Sequence, residues 1–367
     1  MNIITPEVTH GIVNRVQNSI FGYQGWPSVA RDENGTIYVV SSSFRTQHIC
    51  PFGKTAMYIS RDEGKTFSPP IVINDTYLDD RDAGIVYMGK GRLLVTWFTH
   101  PTEVYLSRYY ASIKNSAAPL EAPATIGTLS TYPNIPAEHA KGGSFIRISE
   151  DYGVTWSDTI KLPISSPHGP NVLRDGTLIY LGKEMYSDEV SKGSICSFKS
   201  TDGGYTWEKQ CELPFTPDMP AGQVHEPHVI ELTDGRLLGM IRAHRPNGGH
   251  FTCYQTISAD GGNTWSVPAP TGFEGSPPHL FRHSSGALIC AIGRRIPPYG
   301  ERAVVSWDDG ATWEEEYILD ERADGGDLGY PATIELDDGS LMTIYYQRFP
   351  GDAKCSILYT IWRLKGR

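Results

Sequence analysis

Asp82, Glu226 and Tyr330 could each carry proton transfer or nucleophilic attack, and each stands nine residues ahead of a turn glycine: Gly91, Gly235 and Gly339. The surrounding stretches share one form, a β-forming run, a tight turn ending in glycine, then a second run: DAGIVYMGKGRLLVTWF, EPHVIELTDGRLLGMIR and YPATIELDDGSLMTIYYQ. Three further stretches follow the pattern around Gly35, Gly176 and Gly286, and there the equivalent position holds Trp26, Pro167 and Pro277. Neighbouring positions add His168, His225, His228 and His279. Carboxyl, phenol and imidazole groups are the side chains that carry acid–base and nucleophilic chemistry. One polar residue at a strand start is ordinarily solvated, but three in one register point to a shared pocket.

The second run of each stretch returns to the same end seven to ten residues after its glycine. There the chain carries Arg45, His100, Lys183, Glu184, Arg242, Arg294, Arg295, Gln347 and Arg348, with Arg302 opening a later run. Arginines at strand ends often only snorkel. In a chain of net charge −10, though, a ring of them around one mouth is suited to holding an anionic substrate. The same acidity argues against a nucleic-acid-binding role, which would need a basic face.

What must position these residues is a repeat. Ser-x-Asp-x-Gly-x-Thr-Trp/Phe occurs five times, from Ser60, Ser149, Ser200, Ser258 and Ser306. Each copy follows a turn glycine by 20 to 25 residues, except the second, which follows by 58. Each unit thus reads as four antiparallel strands: a hairpin, a third strand, the octapeptide turn and a fourth strand. Six units in a ring predict an all-β fold, a six-bladed β-propeller, which closes radially and leaves few exposed edges. The sixth unit lacks an octapeptide, and VTHGIVNRV near the N-terminus is expected to supply its outer strand. Residues 1–367 are expected to form a single domain, with a loop inserted at about 101–140 in the second blade. That insert would rim the pocket or make a contact in a homo-oligomer. The five octapeptide aspartates (Asp62, Asp151, Asp202, Asp260, Asp308) lie between third and fourth strands, at the periphery, and are expected to be turn staples rather than catalysts.

The chain resembles the sialidase (neuraminidase) superfamily over essentially its whole length, the octapeptide matching that family's Asp-box. VHEPHVIELTDGRLLGMIR is similar to the family stretch bearing a glutamate and one arginine of the carboxylate-binding triad, which places those roles on Glu226 and Arg242. PYGERAVVSWDDGATW resembles the stretch bearing another triad arginine, on Arg302, and DLGYPATIELDDGSLMTIYYQ the stretch bearing the nucleophilic tyrosine, on Tyr330. The resemblance implies a retaining exo-glycosidase acting on a terminal acidic sugar such as sialic acid. A neutral phenol suits that substrate, because the sugar's own carboxylate would repel a carboxylate nucleophile.

Two positions depart from the family. Its first arginine should open the first hairpin, where this chain has Gly25-Trp26-Pro27, leaving Arg45 or Arg81 as replacements. Its acid/base aspartate should lie in the loop SSSFRTQHICPFGK, which has none. His48, Asp82 and Asp80 are therefore candidate acids, Asp80 being close enough in sequence to raise the pKa of Asp82 by repulsion. Trp26, His168, His279 and Arg295 are further candidates for substrate contact. The alternatives are a propeller glycosidase for another, non-sialic sugar and a non-catalytic carbohydrate-binding propeller.

No cofactor is expected, and the six cysteines show no metal-ligand spacing and read as reduced core residues. The opening Met1-Asn-Ile-Ile-Thr-Pro is not a signal peptide and no window is long and apolar enough for a membrane span, so a cytoplasmic protein is expected, or a secreted one whose signal has been removed. The expected partner is a carbohydrate or glycoconjugate, with no nucleic acid.

Overall fold

The structure, a computed structural model, describes residues 1–187, 193–217, 219–244 and 250–365. Its strands form six sheets arranged as the blades of a propeller. Blade one runs Tyr23–Arg31, Ile37–Arg45, Lys54–Ser60 and Ile71–Asn74 from the axis outward. Blade two repeats this with Arg81–Tyr87, Leu93–Thr99, Gly143–Ser149 and Ile160–Leu162. Blade four begins at Val224–Glu231, blade five at His279–Arg282 and blade six at Gly329–Glu335. In blade three the innermost strand is broken into Ile164–Ser165 and Asn171–Val172.

The hairpins form for local reasons. At the first, Asp32 Oδ1 accepts hydrogen bonds from the amides of Asn34 (2.9 Å) and Thr36 (2.8 Å), and Gly35 takes the left-handed φ of +82° that the turn requires. The strands between turns are nearly continuously apolar because both sheet faces are covered. Each core lies between adjacent blades: Tyr38 and Val40 meet Ile85 and Val95, and Ile179 and Leu181 meet Val229 and Ile241. The ring closes where Ile37 and Val39 of blade one pack with Met342 and Ile344 of blade six. Truncating one of these side chains to alanine should cost about 2–5 kcal/mol.

The N-terminal segment supplies the missing outer strand: Val8–Asn14 pairs antiparallel with Ser356–Trp362. A second stitch was not legible in the sequence. Asn2–Ile4 adds a parallel fifth strand to blade five, against Glu315–Asp320.

The insert is not the loop expected. It contains helices at Tyr110–Ser116 and Ala122–Thr131 and a π-helical turn at Tyr105–Tyr109, packed on a small core of Leu78, Tyr105, Ile113, Leu129 and Tyr132. Its Ser/Thr/Pro/Ala-rich sequence carries little helical signal, so these short helices depend on tertiary packing.

The octapeptides form outer turns in all five copies. In the fourth, Asp260 Oδ1 accepts from Ser258 Oγ (2.8 Å) and the Thr264 amide (2.9 Å), and Oδ2 accepts from Thr264 Oγ1 (2.6 Å). All six cysteines are free thiols. Among the described residues no helix is long and apolar enough to cross a membrane.

Candidate active site

The inner strands do not enter the pocket smoothly. Trp26, Asp82, His168, Glu226 and Tyr330 all adopt left-handed backbone, with φ of +52°, +51°, +75°, +45° and +53°. Hydrogen-bond register shifts across Gly25/Ser28, Arg81/Gly84, His225/His228 and Gly329/Ala332, so four of these residues sit in bulges. A bulge re-aims a side chain that a regular strand would pack into a sheet face. Non-glycine residues in this region cost on the order of 1–3 kcal/mol each and persist only where surrounding structure enforces them. Repetition at one position in four blades, at Trp26, Asp82, Glu226 and Tyr330, marks the mouth of the propeller as a place where the fold holds such strain.

Across this mouth Tyr330 of blade six donates its hydroxyl to Glu226 Oε1 of blade four at 2.5 Å. Arg242, on the adjacent strand Leu237–His244, donates to Glu226 Oε2 and approaches the Tyr330 oxygen at 3.4 Å. Burial opposes the charge of Glu226, but Arg242 and the tyrosine hydroxyl outweigh it and hold the carboxyl below its ordinary range. Burial, then the charges of Glu226 and Asp82, raises the Tyr330 phenol well above its usual value. The phenol is therefore neutral, with its acceptor already engaged.

Asp82 sits beside this pair, 6% exposed, with Oδ1 making no hydrogen bond among the described residues. Its pKa is pushed up to about 7, chiefly by burial and then by Glu226, with Arg81 opposing. Repulsion from Asp80, expected to act here, is not among the causes. Asp80 instead bonds Thr76 (2.8 Å) and Asn74 (3.0 Å).

Arg45 and Arg81, the replacements considered for the missing arginine, converge on Asp79, which sequence reasoning did not single out. Arg45 Nη2 donates to Asp79 Oδ2 at 2.9 Å and Arg81 Nη1 to the same oxygen at 3.2 Å. Tyr105 of the insert adds its hydroxyl at 2.7 Å. Arg45 is fully buried, so its charge serves Asp79. Trp26 occupies the position of the family's arginine, 1% exposed, with the Arg45 and Arg81 guanidiniums 4.5 and 4.2 Å from its ring centre.

His48 lies 5.0 Å from Trp26, ring to ring, and is half-buried. Its Nδ1 is 2.9 Å from Asp327 Oδ1, a carboxylate that also accepts from Tyr23 and Tyr346 at 3.0 Å each. A carboxylate only accepts, so Nδ1 carries the proton, and burial lowers the His48 pKa. The neutral ring then presents Nε2 as an acceptor, which is the wrong polarity for an acid.

Arg295 has its guanidinium 5.6 Å from the Tyr330 ring centre, and its Nε and Nη2 are buried without a hydrogen bond among the described residues. Arg302 is not brought to this mouth. Its Nη2 donates to Glu321 at 2.5 Å and its Nε lies 3.4 Å from Glu316, on the outer side of blade five. One residue earlier, buried Glu301 comes within charge range of Arg295, which partly opposes the rise that burial gives its carboxyl. Adjacent strand residues face opposite ways, so a motif aligned to Arg302 missed Glu301 by one step.

His168 and His279 do not reach the mouth either. With His228 they form a buried cluster deeper in the channel. A cavity of about 770 Å³ opens beyond them, lined by the hairpin ends of the inner strands. It is the wrong end for the Tyr330 chemistry.

Fold and mouth together define a six-bladed propeller of sialidase type, and the chain belongs to the BNR repeat-like domain family, whose pattern matches residues 96–343. Among solved structures it is similar to a protein of unknown function from Dyadobacter fermentans (21% identity, 98% of this chain and 99% of that one, TM-score 0.76). It is also similar to the NanB sialidase of Streptococcus pneumoniae (15%, 96% and 70%, TM-score 0.70) and to an α-L-arabinanase of Penicillium chrysogenum (16%, 96% and 98%, TM-score 0.63). No curated protein matches.

Proposed function

We propose that this protein is a retaining exo-glycosidase of sialidase type, and the observation that carries the reading is the 2.5 Å hydrogen bond from Tyr330 to Glu226 across the mouth. In the forward step the Tyr330 oxygen attacks the anomeric carbon while its proton passes to Glu226, and the glycosidic bond breaks. Asp82, protonated near neutrality, gives its proton to the departing oxygen. It then takes one from the water that cleaves the glycosyl-tyrosine while Glu226 returns its proton to the departing Tyr330 oxygen, so the site is restored and configuration is retained. Arg295, with donors to spare, and Arg242 would hold an acidic group of the sugar. His48 would hold a hydroxyl.

A specific observation keeps a second substrate class in play. With Arg302 turned outward and Arg45 committed to Asp79, the mouth offers fewer free guanidiniums than a three-arginine site. A terminal sugar other than sialic acid, such as a uronide, fits this smaller cationic set.

The test is a panel of nitrophenyl glycosides, sialosides and uronides among them, assayed with the parent protein and Tyr330→Phe. Tyr330→Phe should lose about 10³-fold or more in kcat on the best substrate with its melting temperature kept. A panel in which no glycoside is cleaved by the parent would leave a carbohydrate-binding propeller as the better reading.

A further inference from the structure

Two buried arginines, Arg45 of blade one and Arg81 of blade two, lie within charge range of Asp82, and both guanidiniums stand over the Trp26 ring. Glu226 and Arg242 of blade four are the other charges acting on Asp82. The phenols of Tyr330 in blade six and Tyr180 in blade three complete its titratable surroundings, and burial keeps both neutral. An opposite charge within about 4–6 Å favours the ionised form of a carboxyl, so two free guanidiniums would draw the proton off Asp82.

Their donors go elsewhere. Arg45 donates from both Nη atoms to Asp79, the bond from Nη2 to Oδ2 measuring 2.9 Å. It also donates to Ser42 Oγ and to the His48 carbonyl, each at 2.9 Å. Arg81 Nη1 donates to the same Asp79 oxygen at 3.2 Å and to the same carbonyl at 3.1 Å. The hydroxyl of Tyr105, from the insert, reaches Asp79 Oδ2 at 2.7 Å.

Burial opposes a charge on Asp79, but Arg45 and Arg81, with Tyr105 behind them, outweigh it and hold the carboxyl below its ordinary range. One fully buried carboxylate is thus the shared counter-charge of two buried guanidiniums, while Asp82 Oδ1 makes no hydrogen bond among the described residues.

We infer that Asp79 is a positioning residue: its carboxylate keeps Arg45 and Arg81 engaged away from Asp82 and offsets their charge, so that Asp82 can carry the proton a leaving group needs. The insert takes part through the Tyr105 hydroxyl. The use made of the proton rests on the glycosidase reading; its presence on Asp82 can be measured without a substrate. A merely structural Asp79 would affect stability and leave the titration of Asp82 where it is.

The test compares the melting temperature of Asp82→Asn with that of the parent across pH, and repeats the comparison in an Asp79→Asn background. A carboxyl with a raised folded pKa adds stability below its unfolded value near 4 and loses it as pH rises through the folded value. The gain from Asp82→Asn should therefore grow above pH 4 and level off near 7 with Asp79 present. With Asp79→Asn it should level off about one pH unit lower, and the alkaline limb of kcat on a cleaved natural glycoside should move down with it. Gains that level off at the same pH in both backgrounds would overturn the inference. If the parent cleaves no glycoside, the glycosidase reading fails while the melting comparison still decides this one. Should Asp79→Asn fail to fold, the double variant Asp79→Asn/Arg81→Gln, which conserves net charge, is compared with Arg81→Gln alone. Arg81→Gln should move the plateau above 7 and the added Asp79→Asn should bring it back down; a plateau that Asp79→Asn leaves in place again overturns the inference.

Discussion

Asp82 and Asp260 are the same residue type at two kinds of repeated position, one at the axial mouth and one in an outer octapeptide turn. Asp260 sits in the open, and hydrogen bonds from Thr264 and Ser258 bring its pKa down to about 2. Asp82 is buried near Glu226 and is driven up to about 7. The outer aspartates repeat because each does the same local work; the mouth residues differ from blade to blade because they face one another. Repetition of a residue type marks structure here, and repetition of a position with changing residue types marks the candidate site.

The largest effect that separates the two regions should come from Asp82→Asn. A natural glycoside, whose leaving oxygen needs a proton, should lose about 10²–10⁴ in kcat while a nitrophenyl glycoside is spared. The parent's turnover of the natural substrate should fall as pH rises through about 7, since the acid form is the active one, and the variant should lack that limb. The stability sign runs the same way. A carboxyl whose folded pKa is raised favours folding at low pH and loses that contribution between its unfolded value near 4 and about 7, so Asp82→Asn should gain melting temperature over the parent most clearly at pH 8. Equal loss on both substrates would move the acid role away from Asp82.

A smaller effect distinguishes two arginines seven positions apart. Arg295→Ala should raise KM for an anionic substrate by about 10–100-fold, whereas Arg302→Ala, which removes its bonds to Glu316, Glu321 and the carbonyls of Glu301 and Asp320, should leave KM near the parent value and lower stability instead. The reverse pattern would restore Arg302 to the site. The smallest functional effect belongs to the outer turns. Asp260→Ala should lower the melting temperature and leave KM nearly unchanged. Because Asp260 has a depressed folded pKa, its contribution is present above the unfolded value near 4 and fades as pH falls toward about 2, so parent and variant should converge in strong acid.

Much of this was legible in the chain because its information was local. The six hairpins, the five octapeptides and VTHGIVNRV as the closing strand follow from turn glycines and strand pattern, and each can be read within about twenty residues. The shared register of Asp82, Glu226 and Tyr330 identified the mouth because equivalent positions in a ring converge. The helices of the insert were not legible, since short segments poor in apolar residues acquire their helicity from Leu78 and the tyrosines they pack against.

The sequence by itself determined which residues stand at the axial ends of the blades; tertiary structure decided what those residues do there. Adjacent strand residues face opposite ways, so Arg302 turns to Glu316 and Glu321 while Glu301 comes within charge range of Arg295. The commitment of Arg45 to Asp79 and the raised pKa of Asp82 rest on partners brought within hydrogen-bonding or Coulombic range by the fold, Glu226 among them from another blade. Charge interactions act through distance and burial, and neither quantity exists until the ring has closed.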